Sequence, residues 1–141
     1  MSPVDGEAAR LVWSHRLCFV ATASRGGVPN VSPKGTLVPL DGSTLAFAEI
    51  RSPDTVRNIL ENPRVEISVV DPASRRGYLF TGTASVVDDP GLVSLYRAAG
   101  VRSRVRRVVL VDVESAEPVL SPLYDLGMTE EQVRARAASP G

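Results

Sequence analysis

The chain has 141 residues, of which 43% are hydrophobic, and its 16 basic and 16 acidic residues give a formal net charge of zero. This length predicts a single domain over 1–141, and the balanced charge argues against a nucleic-acid-binding protein. One cysteine, Cys18, excludes an internal disulfide and a multi-cysteine metal site, and we expect no metal. We find no signal-peptide pattern and no apolar run of membrane-spanning length, so we expect a cytoplasmic protein without a membrane partner.

Apolar periodicity and turn signals predict the elements of the chain. In chain order, the predicted strands cover residues 16–24, 30–40, 43–50, 64–71, 78–88 and 106–116. The predicted helices cover residues 5–15, 52–63 and 89–100, followed by a short helix that begins with the capping sequence "TEEQ" at 129–132. Two successive hairpins, with turns "RGGVP" and "DG", indicate an antiparallel meander. The fold class is therefore mainly β, a small antiparallel β-barrel with peripheral helices.

Residues 117–141 form a C-terminal arm in this prediction. Its apolar part has two equally plausible positions, across a two-fold axis in a dimer or back over its own barrel. The residues that either position would cover are Val119, Leu120, Leu123 and Tyr124.

The segment "VSPKG" (31–35) interrupts a predicted strand. Proline removes a ladder N–H group and glycine removes a side chain, which leaves backbone groups free and lets a flat ligand approach. The segment also contains Lys34, the only lysine in a chain with fifteen arginines. An edge bulge with an exposed lysine explains the pattern about as well.

The segment "EIRSPDT" (49–55) runs from a strand end into a helix N-terminus. Free backbone amides and the helix dipole favour an anion there, most obviously a phosphate. Hydroxyl and guanidinium donors come from Arg51, Ser52, Thr55 and Arg57. A plain N-cap is the simpler explanation of a Ser-Pro-Asp sequence. If the "DG" hairpin makes the two strands neighbours, both segments face one pocket. The basic run "RSRVRR" (102–107) is more simply a solvated turn than a nucleic-acid site.

The order of these motifs over residues 19–71, with "TGTAS" (81–85) and "SPLYDLGMTEEQ" (121–132), resembles the FMN-binding split-barrel proteins related to pyridoxamine 5′-phosphate oxidase. The resemblance implies an antiparallel six-stranded split barrel and a homodimer with FMN in clefts at the subunit interface. It places the flavin ring on Val31, Ser32, Pro33 and Lys34. It places the ribityl chain and phosphate on Glu49, Ile50, Arg51, Ser52 and Thr55. Arg76 and Gly77 would approach from the side or from the partner subunit.

The implied activity is an FMN-dependent oxidoreductase that transfers hydride through the flavin to or from a small-molecule substrate. The sequence does not identify the substrate, and no catalytic side chain stands out. For a substrate with a phosphate, as the resemblance implies, the arginines of 102–107 are candidates to hold it, although no motif supports this. One residue departs from the pattern, since Asp54 stands where many relatives have a lysine. We expect Arg51 and Arg57 to compensate for its charge. The alternatives are a non-enzymatic flavin or electron carrier, a reductase that uses the deazaflavin F420, and a barrel without cofactor.

Overall fold

The structure is a computed structural model that describes residues 2–101 and 104–139. Within these ranges the chain forms seven strands and four helices. The strands are β1 (Cys18–Ala23), β2 (Pro29–Lys34), β3 (Val38–Asp41), β4 (Thr44–Glu49), β5 (Arg64–Asp71), β6 (Arg76–Val87) and β7 (Arg107–Leu120). The helices are α1 (Glu7–Ser14), α2 (Pro53–Glu61), α3 (Pro90–Ala98) and α4 (Glu130–Ala138). The prediction of a mainly β protein with peripheral helices is confirmed.

The strands form one antiparallel sheet in the order β2-β1-β5-β6-β7-β4-β3. Strands β2 and β3 are therefore its two opposite edges, although only residues 35–37 separate them in the chain. Four residue steps separate Lys34 from Val38, so their Cα atoms lie at most about 14 Å apart. This short connection brings the two edges of the sheet together at this end. The sheet thus curls into a split barrel, and we call the connection 35–37 the seam.

The seam corrects the prediction of one continuous strand over 30–40. The break begins at Gly35, after Lys34, and separates two strands that belong to opposite edges of the sheet. This raises the strand count from six to seven, and Pro33 itself stays within β2. Both predicted hairpins form, since β2 pairs with β1 and β3 pairs with β4. The expected meander does not form, because the second and third strands of a meander would be neighbours.

The barrel interior is the hydrophobic core. Alternation along β5, whose inward residues are buried and outward residues exposed, is typical of a sheet with one solvated face. Phe47, Ile67 and Phe80 are fully buried in the main cluster, and α1 and α2 add Val12 and Ile59 to it. A second cluster lies under α3, so this helix is fixed next to β4 and β7.

Strand β7 is longer than predicted. It continues to Leu120 and pairs there with Arg76 of β6, so residues 117–120 extend the sheet instead of beginning the arm. Beyond the strand, the Tyr124 hydroxyl donates a hydrogen bond to the Ser74 carbonyl (2.5 Å) and Val133 of α4 is fully buried. These contacts place the arm on its own barrel, one of the two predicted positions.

No helix among the described residues is both long and apolar enough to cross a bilayer. These residues also contain no cluster of three or more histidine, cysteine or acidic side chains suited to a metal ion.

The substitution Gly82→Ala tests the β-bulge in the β6–β7 pairing, where the register shifts between Thr81 and Gly82. A Cβ atom at Gly82 would collide with the Asp112 carbonyl oxygen and lie 3.0 Å from the Asp112 carbonyl carbon, both of them backbone atoms. We expect the free energy of unfolding, measured in urea, to fall by about 1–3 kcal/mol. The control Gly26→Ala meets only Ser24 Oγ at 3.8 Å and is expected to unfold like the natural chain. Equal losses in both variants would contradict the packing described for the bulge.

Candidate functional site

A cleft of about 660 Å³ opens at the seam. Its walls are Pro33, Lys34, Gly35, Thr36, Ala48, Ile50, Arg51, Arg104 and Arg106. The structure therefore brings the two predicted segments, 31–35 and 49–55, to one pocket. The reason differs from the prediction, because β2 and β4 are not paired neighbours. They meet because the seam joins the two edges of the sheet.

Thr36 holds the seam in place. Its hydroxyl accepts a hydrogen bond from the Ala48 amide (2.8 Å). Its carbonyl accepts one from the Tyr96 hydroxyl of α3 (3.1 Å). Burial raises the pKa of Tyr96, so the hydroxyl stays protonated and remains a donor at neutral pH. Leu37 is fully buried, and together these contacts fix the cleft wall to both β4 and α3.

Lys34 is a confined cation in this wall. Only 8% of the residue is exposed, its Nζ donates to Ser32 Oγ (2.7 Å), and Nζ lies 5.9 Å from the centroid of the Phe47 ring. Burial lowers the pKa of Lys34, and the negative charge of Glu49 opposes part of that shift. The alternative of a bulge with an exposed lysine is therefore wrong, and Lys34 presents its charge to the cleft.

Cys18 lies directly across from this lysine, as its register partner in the β1–β2 pair. It is fully buried, and burial raises the pKa of its thiol to about 12. The thiol is therefore neutral at physiological pH, and the interpretation of Cys18 as a small buried core residue, not a nucleophile, is confirmed.

The junction between β4 and α2 contains three buried polar groups without a partner. Glu49, Ser52 and Thr55 are each no more than 5% exposed. Among the described residues, Glu49 Oε2, Ser52 Oγ and Thr55 Oγ1 have no hydrogen-bond partner. Ser52 occupies the N-cap position of α2, yet its hydroxyl does not cap the helix. A buried polar group left unpaired costs about 1–3 kcal/mol, so three at one junction make it a candidate binding site.

Asp54 is neutralised within its own helix. Its carboxylate pairs with the Arg57 guanidinium one turn later, and both side chains are exposed. The expected compensation by Arg57 is therefore present, although Arg57 itself does not line the cleft. Arg51 does line the cleft, just before the N-terminus of α2, where its charge is available to an anion.

Glu49, Ser52 and Thr55 precede or follow the wall residues Ile50 and Arg51 in the chain but are not wall residues of the cleft themselves. The remaining candidates also lie outside the cleft of their own chain. Val31 is exposed on the outer surface of β2, and Ser32 contributes through its hydrogen bond to Lys34. Arg76 and Gly77 begin β6 and pair with the end of β7. Arg76 contacts Glu130 (3.0 Å) and the Tyr124 ring (4.3 Å), so it touches the arm and not the cleft.

Sequence reasoning missed Thr36, Arg104 and Arg106 as wall residues. The basic run was interpreted as a solvated turn, and Arg102 and Ser103 lie outside the described residues. The missed signal is the alternation Arg104-Val105-Arg106, because a buried Val105 between two exposed arginines indicates an extended segment with one face on a core.

A family model described as pyridoxamine 5′-phosphate oxidase matches residues 4–124. The chain belongs to the pyridoxamine 5′-phosphate oxidase family. This match covers the whole barrel and all three elements of the cleft, namely the seam, the β4–α2 junction and the start of β7.

Individual proteins similar to this chain were also found. A curated relative, an uncharacterised protein of Methanocaldococcus jannaschii, is 35% identical over 72 residues, which is 50% of this chain and about half (48%) of that protein. The structure of HupZ from Group A Streptococcus is 30% identical with a TM-score of 0.71, over 80% of this chain and 91% of HupZ.

Two further solved structures differ in the cofactor that their descriptions name. An FMN-binding protein of Syntrophomonas wolfei shares the fold, with a TM-score of 0.73 at 14% identity, over 82% of this chain and 85% of that one. An F420 reductase has a TM-score of 0.58 at 25% identity, over 72% of this chain and 88% of that one. The split-barrel fold is thus shown, and relatives of this fold are described with either cofactor.

The variant Lys34→Met tests the confinement of the lysine. The folded-state pKa lies below the unfolded value of 10.5, so between the two the unfolded chain binds more protons and the natural protein gains stability as the pH rises. We expect the variant to be more stable at pH 7 by about 1 kcal/mol. This advantage shrinks as the pH approaches 10.5. Urea unfolding from pH 7 to 10.5 measures the difference, in which the other titrations cancel. A difference that does not change with pH would contradict the lowered pKa.

Proposed function

We propose that this chain binds FMN in the seam cleft and acts as an FMN-dependent oxidoreductase on a small-molecule substrate. The observation that carries the proposal is the set of unpartnered polar atoms on Glu49, Ser52 and Thr55, buried beside a cleft with cationic walls. Membership of the family and the description of a relative as FMN-binding support the choice of flavin.

The residues present fit the phosphate end of FMN. Ser52 and Thr55 offer hydroxyl donors, the first turn of α2 offers free amides and Arg51 offers a guanidinium group. Glu49 Oε2 accepts hydrogen bonds, which suits a ligand that also carries hydroxyl groups, as the ribityl chain does. Pro33 and Lys34 would then border the ring.

Bound FMN would supply the hydride or electron transfer, and the protein supplies position and charge. The Lys34 ammonium contributes positive charge at the cleft wall, where burial keeps it from being screened by water. Burial lowers the pKa of Lys34, so Nζ is also a stronger acid than a surface lysine. Thr36 and Tyr96 keep this wall in place.

The deazaflavin F420 is the second candidate cofactor. The observation that favours it is the 25% identity to an F420 reductase over 72% of this chain. A carrier without turnover would use the same cleft, and a barrel without cofactor would leave Ser52 and Thr55 unpaired. Absorption spectra with each flavin distinguish FMN, F420 and no cofactor, and a carrier is distinguished by its failure to turn over with reduced nicotinamide or another candidate donor.

A homodimer is part of the proposal. Exposed apolar residues lie at one side of the sheet, namely Phe19, Val31 and Val70 on three strands and Leu17 just before β1. We call these four the apolar face. Phe19 is the register partner of the cleft residue Pro33, so a second copy seated on the apolar face would stand beside the cleft, from where its own residues could reach the flavin. The cytoplasmic location stays a prediction.

The first experiment measures flavin binding from the visible spectrum of the purified protein, before and after addition of FMN and removal of the free ligand. The natural chain is expected to retain flavin bands. The double variant Ser52→Ala/Thr55→Val is expected to bind FMN at least about 100-fold more weakly, since two hydrogen bonds to a charged phosphate are lost.

The same double variant should fold at least as stably as the natural chain without ligand, because its lost hydroxyl groups have no partner there. The control Thr83→Val/Ser85→Ala removes two hydroxyls from exposed positions of β6 and is expected to keep FMN binding. Unchanged FMN affinity in Ser52→Ala/Thr55→Val would refute the site, and retention of F420 without FMN would select the second candidate.

Light scattering coupled to size exclusion tests the dimer. Phe19→Glu/Val31→Glu puts two charges on the apolar face and is expected to give a monomer, because burying unpaired charge costs more than the contact returns. Leu60→Glu/Leu126→Glu changes two equally exposed leucines elsewhere and should leave the dimer intact. A natural chain that runs as a monomer would contradict this part of the proposal.

A further inference from the structure

Lys34 combines burial with a position in the wall of the seam cleft. It is the only lysine of the chain, and only 8% of the residue is exposed. Among the described residues, the ion pairs are made by histidine and arginine side chains, and none of them involves Lys34. The hydrogen bond from Nζ to Ser32 Oγ (2.7 Å) is made to a neutral group, so no carboxylate at ion-pair distance holds this side chain in its charged form.

The groups around Nζ stabilise an ammonium ion only weakly. The register partner of Lys34 is Cys18, whose thiol is neutral because burial raises its pKa. The centroid of the Phe47 ring lies 5.9 Å from Nζ, which is the outer limit of a cation–π contact. Burial lowers the pKa of Lys34, and the negative charge of Glu49 offsets only part of that shift. A larger share of this amine is therefore neutral at a given pH than for a surface lysine.

The rest of the seam cleft leaves room for a small ring beside this amine. Three arginines of the cleft carry like charge, which disfavours an ammonium group further, namely Arg51, Arg104 and Arg106. The apolar wall residues are Pro33, Ala48 and Ile50. A Cβ atom at Gly35 would meet nothing within 4 Å, so the wall is open next to Lys34. With a volume of about 660 Å³, the cleft accommodates a small aromatic molecule against its apolar wall.

We propose that Lys34 is a covalent binding site for small aromatic aldehydes, which it captures as an imine in the seam cleft. Lysine amines form such Schiff bases with carbonyl compounds when their surroundings leave the nitrogen unprotonated. The Nζ lone pair forms a bond to the carbonyl carbon, the carbonyl oxygen leaves as water with the two hydrogens of the neutral amine, and a C=N double bond remains.

Ser32 is placed to assist this condensation. Its hydroxyl lies within hydrogen-bond reach of Nζ and can relay a proton from the nitrogen to the departing oxygen. Nothing is oxidised or reduced, and no flavin takes part. The inference therefore goes beyond the proposed function and does not depend on it.

The experiment treats the full chain, without added FMN, with benzaldehyde at pH 7 in the presence of sodium cyanoborohydride, which reduces an imine to a stable benzylamine. Peptide mapping by mass spectrometry measures the adduct on Lys34 and, separately, on the N-terminal amine. The control variant Lys34→Arg/Arg136→Lys moves the single lysine of the chain to an exposed position of α4. Lys34 is expected to be modified at least about fivefold faster than this control lysine, because burial leaves more of its amine neutral.

Concentrated urea provides a second comparison, which needs no variant. It unfolds the chain and is expected to remove the advantage of Lys34, so that the two lysines are then modified at equal rates. In the folded chain, modification of Lys34 should also reach half of its maximal rate at a lower pH than modification of the control lysine.

Three outcomes would overturn the proposal. Benzaldehyde would modify the N-terminal amine and not Lys34, the control lysine would react as fast as Lys34, or urea would leave the rate at Lys34 unchanged or raise it. If the double variant does not fold, the comparison of the natural chain with and without urea still decides. A chain that fails to bind FMN is tested in the same way, since no step involves the flavin.

Discussion

The two hydrogen bonds of Thr36 are the constraint on which the site depends. They tie the seam to the Ala48 amide of β4 and to the Tyr96 hydroxyl of α3. These two bonds matter because β2 and β3 do not pair with each other. The position of Lys34 relative to Arg51 follows from this closure. The Thr36 side chain and backbone carbonyl, together with the buried Leu37, thus hold the two halves of the cleft in place.

Local rules predicted most of the elements. The turn residues predicted both hairpins. The predicted helix that begins with the Ser-Pro-Asp sequence agrees with α2 to within two residues at either end. The local rules failed where contacts between residues distant in the chain determine the structure. Strand β7 runs on to Leu120 because β6 offers a partner for it, and nothing in residues 117–120 alone indicates that. The break at Gly35 was predicted as an interruption within one strand, either open to a ligand or an edge bulge, because its real cause is that the chain crosses to the opposite edge of the sheet.

The candidate site was predicted in the same uneven way. Pro33, Lys34, Ile50 and Arg51 were expected and line the cleft, and the buried hydroxyls of Ser52 and Thr55 stand beside it. A motif read along the chain gives these, because each belongs to one strand end or one helix start. Arg104 and Arg106 come from a segment about fifty residues after Arg51 in the chain. In that segment, only the burial of Val105 indicates which side faces the core. Sequence patterns thus identify site residues that belong to one helix or strand, and they miss cleft residues that distant segments contribute once the chain has folded.

The seam also has a consequence for folding. The β1–β2 and β3–β4 hairpins join residues close in the chain, whereas β1–β5 and β4–β7 join distant ones. Distant pairings carry a larger loop-closure entropy and slow the folding of a chain. The cleft walls on β4 and on the segment before β7 are brought together only when the distant β4–β7 pairing has formed. A ligand that requires the cleft has no affinity for partly assembled chains, and its binding energy therefore stabilises the entire barrel.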